Sequence, residues 1–148
     1  MVCQEEYITA YGHPNVTATH RTTFEVTKEG ELSRAGNCII AVDADKGARD
    51  LSRRFRDVLQ HPKSRLDTTI RCGPYEVHVS SRGDPALSLT HVTDLVWRRS
   101  SFTCDRTVGI CSDYTACDLP REMIDLLIRE EEICVLMIAS YPDEVEKM

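Results

Sequence analysis

The chain has 148 residues, with 24 acidic against 18 basic side chains, seven cysteines and 41% apolar residues. That length and balance fit one compact domain with its own core, and exclude wholesale disorder. The longest apolar run, Ile133 to Ala139, is far too short for a membrane span, and the opening Met1-Val2-Cys3-Gln4-Glu5-Glu6 lacks a basic, apolar leader. A single cytoplasmic domain over 1–148 is therefore expected, with no membrane contact and no cofactor.

Val16 to Thr27 alternates strictly. Val16, Ala18, His20, Thr22, Phe24 and Val26 share one face, while Thr17, Thr19, Arg21, Thr23, Glu25 and Thr27 share the other. This reads as a strand with a polar, solvated side. Lys28 to Glu31 is a turn, Cys38 to Val42 a short buried strand, and Leu51, Phe55, Val58 and Leu59 recur at helical spacing. Strands at Thr68–Cys72 and Tyr75–Ser80 are separated by Gly73-Pro74, a turn pair. Further strands are expected near Leu87–Val92, Leu95–Arg98 and Thr107–Cys111. A helix near Leu119–Arg129 and a strand at Ile133–Ala139 complete the chain.

The second half echoes the first. Shifting by 68 positions superposes Ile40–Leu59 on Val108–Leu127, and seven of the twenty pairs are identical, among them Asp45/Asp113, Asp50/Asp118 and Arg53/Arg121. Chance would give about one. Thr19-His20-Arg21-Thr22 also matches Thr90-His91-Val92-Thr93 after a three-residue gap. Pro120 cannot lie deep inside a helix, so Asp118 is expected at the second N-cap and, by the repeat, Asp50 at the first. The expected fold is α+β. Two strand–strand–helix–strand halves, about 7–80 and 86–140 with a tail over 141–148, would be related by a pseudo-two-fold and form a small β-barrel. That plan resembles the cradle-loop barrels, whose Gly-Asp turns would fall at Gly36-Asn37 and Cys104-Asp105.

Three stretches resemble the signature of one mainly archaeal family, catalogued as a domain of unknown function, family 371. They are Gly12 to Thr27 (Gly-His-Pro-Asn-Val-Thr-Ala-Thr-His-Arg-Thr-Thr-Phe-Glu-Val-Thr), Gly36 to Lys46, and Trp97-Arg98-Arg99-Ser100-Ser101-Phe102. The resemblance implies a single-domain cytoplasmic archaeal protein with no assigned activity. Family members carry Gly-Asp-Cys where this chain has Gly36-Asn37-Cys38. An asparagine serves equally well in a turn but not as a carboxylate in chemistry.

Candidate site residues follow from the pattern. His20 and His91, if they converged near a barrel axis, would serve as acid, base or metal ligands; the plainer reading is two satisfied core histidines. Asp43-Ala44-Asp45-Lys46 follows a buried strand and would suit a metal-bridged phosphate, or simply a polar turn. His13, Asn15 and Arg21 open or line the first strand as candidate ligand contacts, beside a plain turn and a solvated threonine face. No Cys-x-x-Cys is present, and Cys104, Cys111 and Cys117 are spaced too widely for a zinc knuckle, so reduced structural thiols are expected and no metal site. Lys46 to Arg65 carries +5 against −11 elsewhere, and Arg49, Arg53 and Arg56 step along the first helix. That is a plausible footprint for nucleic acid or protein, set against a merely solvated face. Two functions result: a non-catalytic binding or adaptor domain for protein, RNA or a small ligand, and a small hydrolase or transferase built on His20, His91 and Asp45.

Overall fold

The computed structural model describes residues 1–143. Its elements are β1 (Val2–Tyr11), β2 (Thr23–Thr27), β3 (Ile39–Ala41), α1 (Arg53–Leu59), β4 (Arg65–Cys72), β5 (Tyr75–Arg82), β6 (Asp94–Arg98), β7 (Thr107–Gly109), α2 (Arg121–Ile128) and β8 (Glu132–Tyr141). Single 3-10 turns, Ala48–Asp50 and Ala116–Asp118, precede the two helices. Of the expected tail, Tyr141 ends β8, and 144–148 lie outside the described residues. No helix among the described residues is long and apolar enough to cross a membrane.

The α+β class holds, with the strands in two four-stranded sheets ordered β1-β8-β4-β5 and β3-β2-β6-β7. The first sheet is antiparallel throughout. Period-two alternation turns Leu66, Ile70, Val77, Val79, Ile133, Val135 and Met137 inward. In the second sheet β2 and β6 are antiparallel, and each has a parallel partner, β3 and β7. Phe24, Val26, Leu95 and Trp97 fill its inner side. The two aromatic rings stack with centroids 4.6 Å apart. The Trp97 indole N–H donates 3.0 Å to the Thr68 hydroxyl, joining β6 to β4 across the core. α1 packs Phe55, Val58 and Leu59 toward β1 and β8. Gly73, at φ 57°, makes the tight turn between β4 and β5 that the Gly-Pro pair predicts.

A continuous closed barrel does not form. The sheets touch through two isolated bridges, Tyr11 with Val42 and Arg82 with Ile110. Each ends at once because the next residue, Asp43 at φ 53° or Cys111 at φ 50°, is left-handed. Beyond it Ala44 N donates to Thr27 O and Ser112 N to Arg98 O, within the second sheet, before Asp45 N and Asp113 N return to Thr9 O and Ser80 O of the first. The left-handed residue thus breaks the regular ladder between the sheets.

The same geometry removes two expected strands. Ala18 (φ 50°) and Leu89 (φ 55°) interrupt Val16–Thr22 and Leu87–Val92. In place of a ladder, Thr19 and His20 both donate to Asn37 O, and Thr90 and His91 both donate to Asp105 O. β1, unexpected from the sequence, pairs along its full length with β8. The helix caps also differ from expectation. Ser52 caps α1 by accepting from Phe55 N at 3.2 Å, and Pro120 itself stands at the N-cap of α2. Asp50 and Asp118 instead close the 3-10 turns, each accepting at 2.9 Å, from Gly47 N and Thr115 N.

Candidate functional site

His20 and His91 do not converge. β2 and β6 run antiparallel, with Thr23 opposite Arg98 and Thr27 opposite Asp94, and each histidine precedes the start of its own strand. The imidazoles therefore lie at opposite ends of the strand pair. Each caps the turn that follows it: His20 Nδ1 accepts from Thr22 N and Thr23 N, both at 3.2 Å. His91 Nδ1 accepts from Thr93 N and Asp94 N at 3.2 and 2.9 Å. These rings organise backbone, each at its own end of the strand pair.

Asp45 is a latch. Its Oδ1 accepts from Thr9 N at 3.1 Å while its own N donates to Thr9 O at 3.0 Å. Asp113 holds Ser80 in the same way, at 2.9 and 3.0 Å. Asp45→Ala is expected to cost about 1 kcal/mol, read as a lower urea midpoint with the slope unchanged. An unchanged midpoint would show that the latch contributes nothing. Lys46 is likewise committed: its ammonium lies 2.8 Å from Glu6, which is buried, and 3.0 Å from Tyr7 O. Burial opposes the Glu6 charge, but Lys46 and the Ser52 N–H hold its carboxyl below the usual range. His13 Nδ1 accepts from Asn15 N at 3.0 Å, and the Asn15 amide donates to Leu32 O at 2.8 Å, so Gly12 to Asn15 is a turn pinning a neighbouring loop. Arg21 is exposed ahead of β2.

The arginine helix keeps its charge available. Lys46 is taken by Glu6 and Arg65 lies 3.4 Å from Asp67, but Arg53, Arg54 and Arg56 have no ion-pair partner among the described residues. Positions 53, 56, 57 and 60 share one helical face. There Arg53, Arg56, Asp57 and Gln60 line a polar recess of about 270 Å³. The Arg56 Nε is buried, with no hydrogen-bond partner among the described residues.

The polar face of β2 is the larger surprise. The threonine alternation reads as solvated surface, yet Thr23, Glu25 and Thr27 are all buried, as is Asp94 of β6. Arg106 spans the two carboxylates, 3.4 Å from Glu25 and 3.1 Å from Asp94. Asp94 also accepts from the Thr27 and Thr93 hydroxyls, both at 2.8 Å. Burial works against the Asp94 charge, but these donors outweigh it and lower its pKa. Glu25 goes the other way: burial and the adjacent Asp94 charge push it up to about 7.

Beside this pair lies a second group. Arg98, opposite Thr23 on the same face, donates through Nε to Thr107 Oγ1 at 2.9 Å and through a terminal nitrogen to Cys104 Sγ at 3.3 Å. Burial disfavours the Cys104 thiolate, yet Thr107, the Arg106 N–H and Arg98 together bring its pKa down to about 7. Cys38 differs: burial and Glu25 push its thiol up. Among the described residues no three His, Cys, Asp or Glu side chains are grouped to hold a metal. Sequence reasoning placed Cys104-Asp105 at a turn, weighed Cys104 as a zinc ligand or a structural thiol, and missed the role of Glu25. The available signal was a lone carboxylate inside a β-branched strand, which needs a cation when its face is covered.

The family model described as Domain of unknown function (DUF371) matches residues 8–140. An uncharacterised protein of Methanocaldococcus jannaschii, MJ0206, is 38% identical over 134 residues, covering 90% of this chain and 98% of that protein.

Proposed function

Since the chain belongs to the DUF371 family, a domain of unknown function, its role has to be read from its own surface, and we propose that it is a non-catalytic binding domain whose α1 face receives phosphate groups. The observation that carries this is the recess itself, where Arg53 and Arg56, neither with an ion-pair partner among the described residues, stand together beside Asp57 and Gln60. A guanidinium in that state gains a charge-assisted hydrogen bond when an anion enters, and the arginine fork matches phosphate geometry. The stretch from Lys46 to Arg65 carries +5 against −11 elsewhere, which concentrates positive charge on that face.

The phosphates belong to a single-stranded RNA or to a small phosphorylated ligand, and titration separates the two. Wild type and Arg53→Glu/Arg56→Glu are titrated with a labelled short RNA and, separately, with pyrophosphate, at about 50 and 200 mM salt. Wild type is expected to bind one of them, with affinity falling steeply as salt rises, and the double variant to lose at least about tenfold. Identical profiles for the two proteins overturn the arginine-face reading. The hydrolase alternative required His20, His91 and Asp45 together, and their placement gives it no support.

We also infer that the chain arose from a duplicated unit whose two copies embrace a barrel-like core. Support comes from the order of three strands, a 3-10 turn, a helix and a strand, which runs from β1 to β4 and again from β5 to β8. The paired latches of Asp45 and Asp113, and the paired left-handed residues, fit the same reading. On this view the junction is Gly73-Pro74, which moves the expected boundary from residues 80–86.

A further inference from the structure

We propose that Cys104, set among Arg98, Arg106 and Thr107, is a nucleophilic thiolate that exchanges with small disulfides bearing negative charge. This goes beyond the α1 reading and stands on different residues.

Hydrogen-bond accounting assigns the sulfur its role. Thr107 Oγ1 accepts from Arg98 Nε at 2.9 Å and from Cys104 N at 3.2 Å, two donors that cannot accept in return. Its two lone pairs are thereby used, and because Thr107 is fully buried its own proton has no water to meet. The remaining partner is Cys104 Sγ at 3.4 Å, so the hydroxyl donates to sulfur. Arg98, which can only donate, approaches the same atom at 3.3 Å. Both side chains that meet Sγ, Arg98 and Thr107, donate to it, an arrangement that favours the anion over the thiol.

Access and charge select the co-reactant. Cys104 is half-buried, and the neighbouring Phe102 ring, 60% exposed, lies 5.0 Å under the Arg98 guanidinium. Arg106 is 41% exposed at the same mouth. Arg106 is occupied by Glu25 and Asp94, but Arg98 has no ion-pair partner among the described residues, and its guanidinium beside the half-buried sulfur draws in an anionic electrophile. The thiolate attacks one sulfur of the disulfide, whose S–S bond breaks as a new bond forms to Sγ. The other half departs as its thiolate, so no further oxidant is needed, and excess thiol reverses the step. Among the other cysteines, Cys72 is buried and pushed up to about 11, which suits it to packing.

The test uses the full-length chain with substoichiometric dithiobis(nitrobenzoate), a dianionic disulfide, at about pH 6, followed by acid quench and peptide mass mapping. Label is expected to concentrate on Cys104, at least about tenfold faster than on the exposed Cys3, Cys111 or Cys117. Arg98→Gln should slow the reaction with this reagent by about tenfold, and with uncharged dithiodipyridine by clearly less. Label spread over the exposed cysteines, or falling mainly on Cys111, overturns the proposal in the wild-type protein alone, whatever the variant does. Equal slowing with both disulfides overturns the anion preference.

Discussion

Trp97→Ala is expected to destabilise the protein by about 3–5 kcal/mol, the range for deleting a fully buried aromatic side chain. Domains of this size have total stabilities of about 5–15 kcal/mol, so the variant loses a large share. Three contacts end together. The ring leaves a cavity in the core, where it is fully buried. Phe24 loses a partner stacked at 4.6 Å and 11°. The Thr68 hydroxyl, 1% exposed on the opposing sheet, loses the indole N–H at 3.0 Å. Trp97→Phe separates these terms, keeping most of the stack while leaving Thr68 unsatisfied, and should cost about 1–3 kcal/mol. Urea unfolding followed by circular dichroism reads both variants. A loss below about 1 kcal/mol for Trp97→Ala would mean that the two sheets are not held by this contact.

Glu25→Gln should do the opposite in alkaline buffer. Glu25 titrates near 7 when folded, against about 4.5 for a free side chain. The folded protein thus binds the extra proton, and this contribution to stability is fully present below about pH 4.5. It drains away as pH rises toward 7, because folding increasingly requires a buried carboxylate beside Asp94 whose charge Arg106 only partly offsets. Above that, the difference corresponds to about 3 kcal/mol. A glutamine keeps a neutral donor toward Asp94 and removes the titration. The variant is expected to match wild type near pH 5 and to exceed it by up to about 3 kcal/mol at pH 8. Stability curves that stay parallel across this range would show that Glu25 is charged throughout and fully offset by Arg106.

The hairpin around Gly73-Pro74 and the apolar run of β8 were legible because each depends on local chemistry: a turn pair and a period of two. The core side of β2 was legible for the same reason, with Phe24 and Val26 where alternation puts them. Val16 to Thr22 shows the limit. Its alternation is as regular as that of β2, yet Ala18 is left-handed and the segment follows Asn37 instead of a strand. No propensity announces that conformation in an alanine or, at the matching place, in Leu89.

The candidate sites divide along the same line. Arg53 and Arg56 are neighbours on a helix, so their spacing in the chain already fixed their common face. Glu25, Asp94 and Arg106 come from distant segments, as do Arg98 and the Cys104 turn, and only the pairing of β2 with β6 assembles them. His20 and His91 sit in matching Thr-His stretches of the sequence but lie apart, since the antiparallel pair carries the residues that precede its two strands to opposite ends.

From the sequence alone came the class, most of the elements and the sides of the strands, because side-chain period is a property of the local backbone. Tertiary structure decided whether a side faces water. The polar side of β2 is covered, and burial is what turns an ordinary glutamate into a group that titrates near neutrality.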